Sequence, residues 1–308
     1  VLRAPARLTN LAVLILAGTA LISILLNVFH WSASTSGAAI DFESSYGLPP
    51  SIAATFARPA HARALDHLVL VPGHGVWLGS REEDVLDEGQ WLLAEYQRNR
   101  GRPATLLSHI QKAVEIATED PGALLIFSGG QTTFAPMTEA ESYANLALAA
   151  GLLYPLSEVS VQHPPYHTTE RYALDSFQNL LFALARFREY TGRFPTRISV
   201  IGYAFKGARF RDLHARAIGW PEDRFEYIGV PLPDAMDEAK ASEGETANAF
   251  LPYLKDLYGC RSPLSDKRMS RNLGARPHAY HVSAPELAGL LEWCPSDGTV
   301  IYAGPLPW

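Results

Sequence analysis

Short apolar runs and longer amphipathic stretches alternate through the middle of the chain. "HLVLVPG" (His67 to Gly73), "ALLIFSGG" (Ala123 to Gly130), "EVSVQH" (Glu158 to His163), "RISVIGY" (Arg197 to Tyr203) and "RFEYIGV" (Arg224 to Val230) read as buried strands closed by turn residues. Between them the spacing predicts helices over "REEDVLDEGQWLLAEYQ", "LLSHIQKAVEIATED", "MTEAESYANLALAAG", "TTERYALDSFQNLLFALARFREYTG" and "ARFRDLHARAIG", several of them stopped by Gly or Pro. Strand and helix at that rhythm predict a three-layer Rossmann-like α/β fold, a parallel sheet with helices on both faces. The rhythm decays from about Ala235. There the sequence predicts helices over "GETANAFLPYLKDLYGC" and "SAPELAGLLEWC", joined by an irregular stretch. The expected organisation is an α/β domain over residues 65–234 with a C-terminal extension, 235–308, packed on it.

The N-terminal pattern is of another kind. Leu11 to Phe29 carries no charge, and at 1.5 Å per residue it spans about 28 Å, close to a hydrocarbon core of about 30 Å. Arg3 and Arg7 precede it and Trp31 follows it, where a membrane anchor places basic and aromatic residues. Residues 1–31 are therefore expected to form a single-pass signal anchor, and 32–64, rich in Ser, Ala and Pro, a linker. The competing reading is a cleaved signal peptide with its site in "SASTSG". The basic flank favours a cytosolic N-terminus, while the side of the membrane that holds the domain stays open.

Charge narrows the function classes. A net charge of -6 without a clustered basic patch argues against a nucleic-acid surface. The two cysteines, Cys260 and Cys294, form no CxxC pair and so no zinc site of the usual kind. They are either core thiols or a disulfide.

In doubly wound sheets ligands bind outside the carboxyl ends of the strands, so the residues that follow each strand are the candidates. "PGHGVWLGSRE" offers Gly73, His74, Gly75 and Arg81; "SGGQT" offers Ser128, Gly129, Gly130, Gln131 and Thr132; "QHPPYHTTER" offers His163 and His167; "GYAFKGARF" offers Tyr203, Lys206 and Arg209. Paired glycines allow close approach and successive amides can form an anion nest, so an anionic small molecule is the expected partner, met by Arg81, Lys206 and Arg209. Thr138 and Glu141 have capping-box spacing, as do Ser80 with Glu83 and Ser283 with Glu286, which leaves Glu139 free for chemistry. Glu139 and His74 are the acid–base candidates. A metal-assisted alternative would draw on His74, Glu139, His163 and His167, though no HxH or HExxH spacing supports it. There is no GxGxxG, no P-loop lysine and no GxSxG elbow.

Taken together, "LVLVPGHG", "LLIFSGGQT…MTEAES", "LDSFQN" and "VIGYAFKGARF" resemble the YdcF-like family, a domain of unknown function, over roughly Asp66 to Pro233. "SGG…TEAES" is the most specific stretch, and the C-terminal block ending "YAGPLPW" looks like a fungal branch. The chain departs from the family in "AFKGAR", where a histidine often precedes the arginine, and in Asp175-Ser176 for Asn-Thr. The resemblance implies site roles for Gly73, Gly75, Ser128, Gly129, Gly130, Glu139, Ser176, Asn179 and Arg209. It also implies a nucleotide or S-adenosylmethionine-like ligand and a link to membranes, without an established reaction. A non-enzymatic, membrane-tethered scaffold is the remaining alternative.

Overall fold

A computed structural model describes residues 13–27, 58, 60–154 and 165–308. Five strands form one parallel sheet: β1 (His67–Pro72), β4 (Ala123–Ser128), β5 (Tyr166–Glu170), β6 (Arg197–Tyr203) and β7 (Phe225–Val230), in the order β5-β4-β1-β6-β7. A two-stranded antiparallel ribbon, β2 (Val76–Trp77) with β3 (Trp91–Leu92), follows β1. β1 and β4 are buried at all six positions each, as their unbroken apolar sequences require of central strands with both faces covered.

The period of two survives inside those runs. Leu68, Leu70, Leu124 and Ile126 face one core, shared with α4 (Ser176–Thr191) and the C-terminal residues. Val69, Val71, Leu125 and Phe127 face the other, shared with α2 (Arg102–Glu119) and α3 (Glu139–Ala149). Connections from β1 run outward through β4 to β5, and the chain then crosses to β6 and runs outward the other way to β7. The direction reverses between β1 and β6. In an open sheet the crevice lies at that reversal, outside the carboxyl ends of the two strands.

Several expected elements are shifted. No helix forms over 81–97; that stretch holds three isolated turns, Glu82–Asp84, Glu88–Gln90 and Glu95–Gln97, with β3 among them. Local bonds compete with the helix there: Asp84 Oδ2 accepts from Ser80 N and Arg81 N, and Asp87 Oδ1 from Gly89 N. The capping partner is thus Asp84 rather than Glu83, and exposed Arg81 pairs with Glu83 and Asp84 instead of facing a ligand. The third strand is "YHTTE", whose last three residues the spacing assigns to the following helix; "EVSVQH", the expected strand, lies outside the described residues. α4 begins at Ser176, with the Asp175 carboxylate capping Gln178 N at 2.9 Å. Ser283 and Glu286 form no capping box: Ser283 Oγ donates to Glu189 and Glu286 pairs with Arg188.

α5 (Arg209–Ala215) is wound as a π-helix after β6. α6 (Ala235–Glu245) starts well before the expected position and passes through a π-turn, Thr246–Phe250, into α7 (Leu251–Lys255). α8 (Leu264–Arg271) was not foreseen. The C-terminal residues are part of the domain's core: Tyr253, Leu257, Tyr258, Leu264, Tyr280 and Leu287 join the cluster under α4. Cys260 and Cys294 form a disulfide. Of the expected anchor, residues 13–27 are helical (α1) and the rest lies outside the described residues. Among the described residues no helix is long and apolar enough to cross a membrane.

Candidate functional site

Pro72–Gly73 ends β1, Ser128–Gly129 ends β4 and Tyr203 ends β6, so the sheet alone gathers three of the expected loops at one edge. Thr138 caps α3: its Oγ1 accepts from Glu141 N at 3.1 Å, and Glu141 Oε2 accepts from Thr138 N at 2.9 Å. That box turns Glu139, the first residue of α3, over the ends of β1 and β4. A Cβ built on Gly73 would meet Glu139 Cβ at 2.6 Å, and one on Gly129 would meet it at 2.8 Å. The two glycines are there to let Glu139 lie across them.

The expected anion nest is absent at this turn, because its amides are already used. Gly73 N donates to Ser128 O at 2.7 Å, Gly129 N to Glu170 O at 3.0 Å and Gly130 N to Ala173 O at 2.6 Å. His74 N donates to Tyr143 Oη at 3.1 Å. Glu139 N and Ala140 N, the first amides of α3, donate to Gly130 O and Gly129 O, both at 3.1 Å. Gly130 serves packing: a Cβ would meet Ala173 O at 2.9 Å. Gly75 does the same against Leu93 and Leu92 O.

Side chains carry the charge instead. Lys206 Nζ lies 3.3 Å from His74 Nδ1 and 3.5 Å from Nε2, across the β1–β6 reversal. It sits 5.2 Å from the centre of the Tyr203 ring and 6.0 Å from that of Phe205. Among the described residues it has no carboxylate partner. Burial first, then Arg209, lowers Lys206 to about 7, with Arg271 adding to the effect. Burial, then the Lys206 charge, drives His74 well below its usual value, so its imidazole is neutral at pH 7. Glu139 is pushed upward by burial, against the opposing influence of Thr132, Arg271 and Lys206; Thr132 Oγ1 donates to Glu139 Oε1 at 2.5 Å. His74, Glu139 and Lys206 are each still partly reached by solvent. They lie together at the carboxyl edge of the β1–β6 reversal, where an open sheet places its crevice, or cleft.

Arg271, at the end of α8, contributes the second cation. It is half-buried, its Nη1 donates to Leu174 O at 2.8 Å, and its charge acts on His74, Glu139 and Lys206 alike. Behind the floor, His109 of α2 is fully buried with neither ring nitrogen partnered and is held at about 3 by burial. Its ring meets Tyr203 edge-on at 4.7 Å and His74 at 6.1 Å.

The other expected residues belong to two closed networks alongside the cleft. Ser128 Oγ lies 2.7 Å from Glu170 Oε2 and 2.9 Å from Asn179 Oδ1. One hydroxyl proton cannot serve both acceptors. Burial raises Glu170, against the hydrogen bonds from Ser128, Tyr172 N, Tyr280 and Ala173 N, which lower it. Tyr172 N and Tyr280 Oη donate to the other Glu170 oxygen, at 2.7 and 2.9 Å.

In the second network the π-winding of α5 brings Arg209 and His214, five apart, onto one face. Both meet Ser176: His214 Nε2 lies 2.8 Å from Ser176 Oγ, and Arg209 Nη1 donates to it. Arg209 is not available to a ligand, since its Nε and Nη2 grip Glu245 at 2.5 and 3.1 Å in a buried ion pair. Asp175 is likewise paired with Arg268. Gln131 Nε2 donates to Ala135 O at 2.5 Å and shapes its own loop.

The metal alternative finds no geometry. His167 lies within β5, buried, with Nδ1 against Pro165 O at 3.3 Å, and His163 lies outside the described residues. His74 faces an ammonium group. Among the described residues no cluster of three metal-ligating side chains occurs.

Sequence reasoning missed Arg271, Glu170, Glu245 and His109. Arg271 and Glu245 come from the segment where strand–helix rhythm fails. Glu170, which the sequence shows among the polar residues of "QHPPYHTTER" without giving it a role, is the last residue of β5.

With this geometry in hand, comparison with known proteins adds an observation of kinship. The chain is 28% identical over 279 residues to an uncharacterized protein of Saccharomyces cerevisiae, covering 75% of this chain and 92% of that protein. No family model matches the chain, and no solved structure does.

Proposed function

We propose that the cleft at the β1–β6 reversal binds an anionic small molecule, a phosphate-bearing or nucleotide-like compound, and that the chain is a YdcF-like protein held at a membrane by its N-terminal apolar segment. One observation carries the ligand reading: Lys206 stands at the reversal with His74 as its hydrogen-bond neighbour and, among the described residues, no carboxylate in ion-pair contact; burial and nearby arginines depress it to about 7 against the more distant Glu245 and Glu139. An anion would relieve that depression, and Arg271 would meet the same charge. Glu139 and His74 stand ready for proton transfer, a carboxyl pushed up and an imidazole kept neutral on one floor.

The test is the melting temperature of the full chain against inorganic phosphate, nucleotides, S-adenosylmethionine and alkyl phosphates. At least one anion raises it, by about 2.7 kcal/mol of stability at a hundredfold excess over Kd, and Lys206→Met abolishes the gain. A flat response across that panel sinks the reading.

A further inference from the structure

The rim of the cleft differs from its floor. Outside residues 13–27, six large apolar side chains among the described residues are more than half exposed: Leu86 59%, Tyr96 74%, Phe134 93%, Met236 84%, Met269 69% and Leu273 56%. Leu86 and Tyr96 lie in the connection after β1, Phe134 in the one after β4 and Met236 just after β7. Met269 and Leu273 lie in and just after α8, which is tied to the residues following β5 by Arg268–Asp175 and by Arg271 on Leu174. Every one of the six is therefore at the carboxyl edge of the sheet.

Each of five stands close in sequence to a residue that touches the floor or its walls. Tyr96 precedes Gln97, whose Nε2 donates to His74 O at 3.0 Å. Phe134 is two residues from Thr132, the Glu139 partner. Met236 precedes Asp237, which pairs with Arg102 at 2.8 Å. Met269 and Leu273 flank Arg271. Singly exposed apolar residues need no explanation, but their confinement to one edge around a cationic floor does.

We infer that this cleft takes an amphiphilic phosphate, with the anionic head on Lys206 and Arg271 and an alkyl chain lying along the Phe134, Met236 and Met269 rim. Two features point to a lipid-borne phosphate rather than a free one. Cations on the floor complement a phosphate head, and the apolar rim offers a chain the contact that water cannot. The uncharged N-terminal segment would also place the domain beside a bilayer, and its described helix leaves Leu14 and Leu16 each 68% exposed. The inference rests on the anion reading above and adds the nature of the rest of the ligand.

Titration of the full chain in phosphatidylcholine nanodiscs with methyl, butyl and hexyl phosphate tests it, with hexyl glucoside as the uncharged control. Affinity should climb at least about tenfold from methyl to hexyl phosphate, as partial burial of the added methylenes predicts. The triple variant Phe134→Ser, Met236→Ser, Met269→Ser should flatten that climb while leaving methyl phosphate unchanged; these side chains are exposed and the fold does not depend on them. Equal affinities along the series, or a climb the triple variant does not flatten, overturn the lipid inference and leave the anion reading standing. Binding of hexyl glucoside as tight as hexyl phosphate, or failure of every phosphate to bind, removes the anion reading itself.

Discussion

The two edges of the sheet are made of the same residue types arranged to opposite ends. At the amino edge the charged groups around the starts of β1 and β6 meet opposites: His67 Nδ1 lies 2.7 Å from Asp120 Oδ2, Arg197 pairs with the same carboxylate, and Arg193 reaches Asp66 at 4.0 Å. His67 Nε2 closes the set on Ser199 Oγ at 2.9 Å. At the carboxyl edge Lys206 and Arg271 have no carboxylate partner among the described residues, and the rim is apolar. A fold can neutralise its charges when stability is all that is required. Where it leaves a lysine depressed to about 7 beside a neutral histidine, the proposed anion would supply the missing partner.

The sharpest way to break the comparison is to unpair the most deeply buried ion pair at the carboxyl edge among the described residues. Arg209 and Glu245 are both buried, so Arg209→Met strands a carboxylate, and the expected cost is about 3–5 kcal/mol. Arg209→Met with Glu245→Met should recover most of that, since two apolar chains replace the pair without leaving a charge. Thermal unfolding of the single and double variants measures both. A double variant no better than Arg209→Met would mean that the contact of Arg209 with Ser176 matters more than its charge.

Glycines give the next contrast. Gly129→Val drives a side chain into Glu139 Cβ, a point fixed by the α3 helix, and should cost about 1–3 kcal/mol and remove anion stabilisation. Gly122→Ala at the amino edge meets Asp66 Oδ1 at 2.7 Å, the free end of a side chain that can swing aside. Its cost should be smaller and its effect on anion binding nil. Denaturant melts with and without inorganic phosphate separate the two.

The pH dependence of the cleft follows from the sign of the Lys206 shift. An unfolded lysine titrates near 10.4, and this one in the folded chain at about 7. Below about 7 both states are protonated and the destabilisation is complete; between 7 and 10.4 the unfolded chain binds the extra proton, so stability rises with pH. An anion reverses this by holding the ammonium form, so its binding takes up a proton at pH 8 and weakens up to tenfold per unit as pH rises further. Calorimetry in two buffers of different ionisation enthalpy reads that proton, and Lys206→Met should show none.

Much of this was legible in the chain. "LVLVPG", "LLIFSGG" and "RISVIGY" fix three strands and their edge because an apolar run that stops on Gly or Tyr has few alternatives, and Thr138 with Glu141 marks the start of α3. What those glycines do was not legible: the sequence pattern fits an anion nest as well as a bed for Glu139, and only hydrogen-bond partners distinguish them. The failures have physical causes. Residues 81–97 carry helical spacing but also Asp84 and Asp87, whose carboxylates bind nearby amides. "YHTTE" reads as polar, yet His167 and Glu170 are both buried, His167 against Pro165 O and Glu170 among Tyr172 N, Ser128 and Tyr280. Arg209 announced a ligand and instead holds Glu245, a residue in a helix that begins before the expected one. The YdcF-like resemblance and the membrane anchor stand as proposals beside these.

The smallest effect should come from the amino edge. Burial alone would raise Asp120, but the amide of Gly122, His67 and Arg197 together bring it below its usual value. Folding therefore gains from its charge above the unfolded pKa and loses that gain as pH falls through the folded one. Arg197 is 52% exposed in this pair, so solvent screens it, and Arg197→Ala should cost only about 0–1 kcal/mol. His67 and Gly122 N still hold the carboxylate, so the loss should be confined to a modest weakening of stability at pH 7 that disappears as pH falls through the lowered pKa of Asp120. Anion affinity should not move, because no part of this network reaches the cleft. If Arg197→Ala did weaken anion binding, the two edges would be coupled through β6, and the division of labour between them would be wrong.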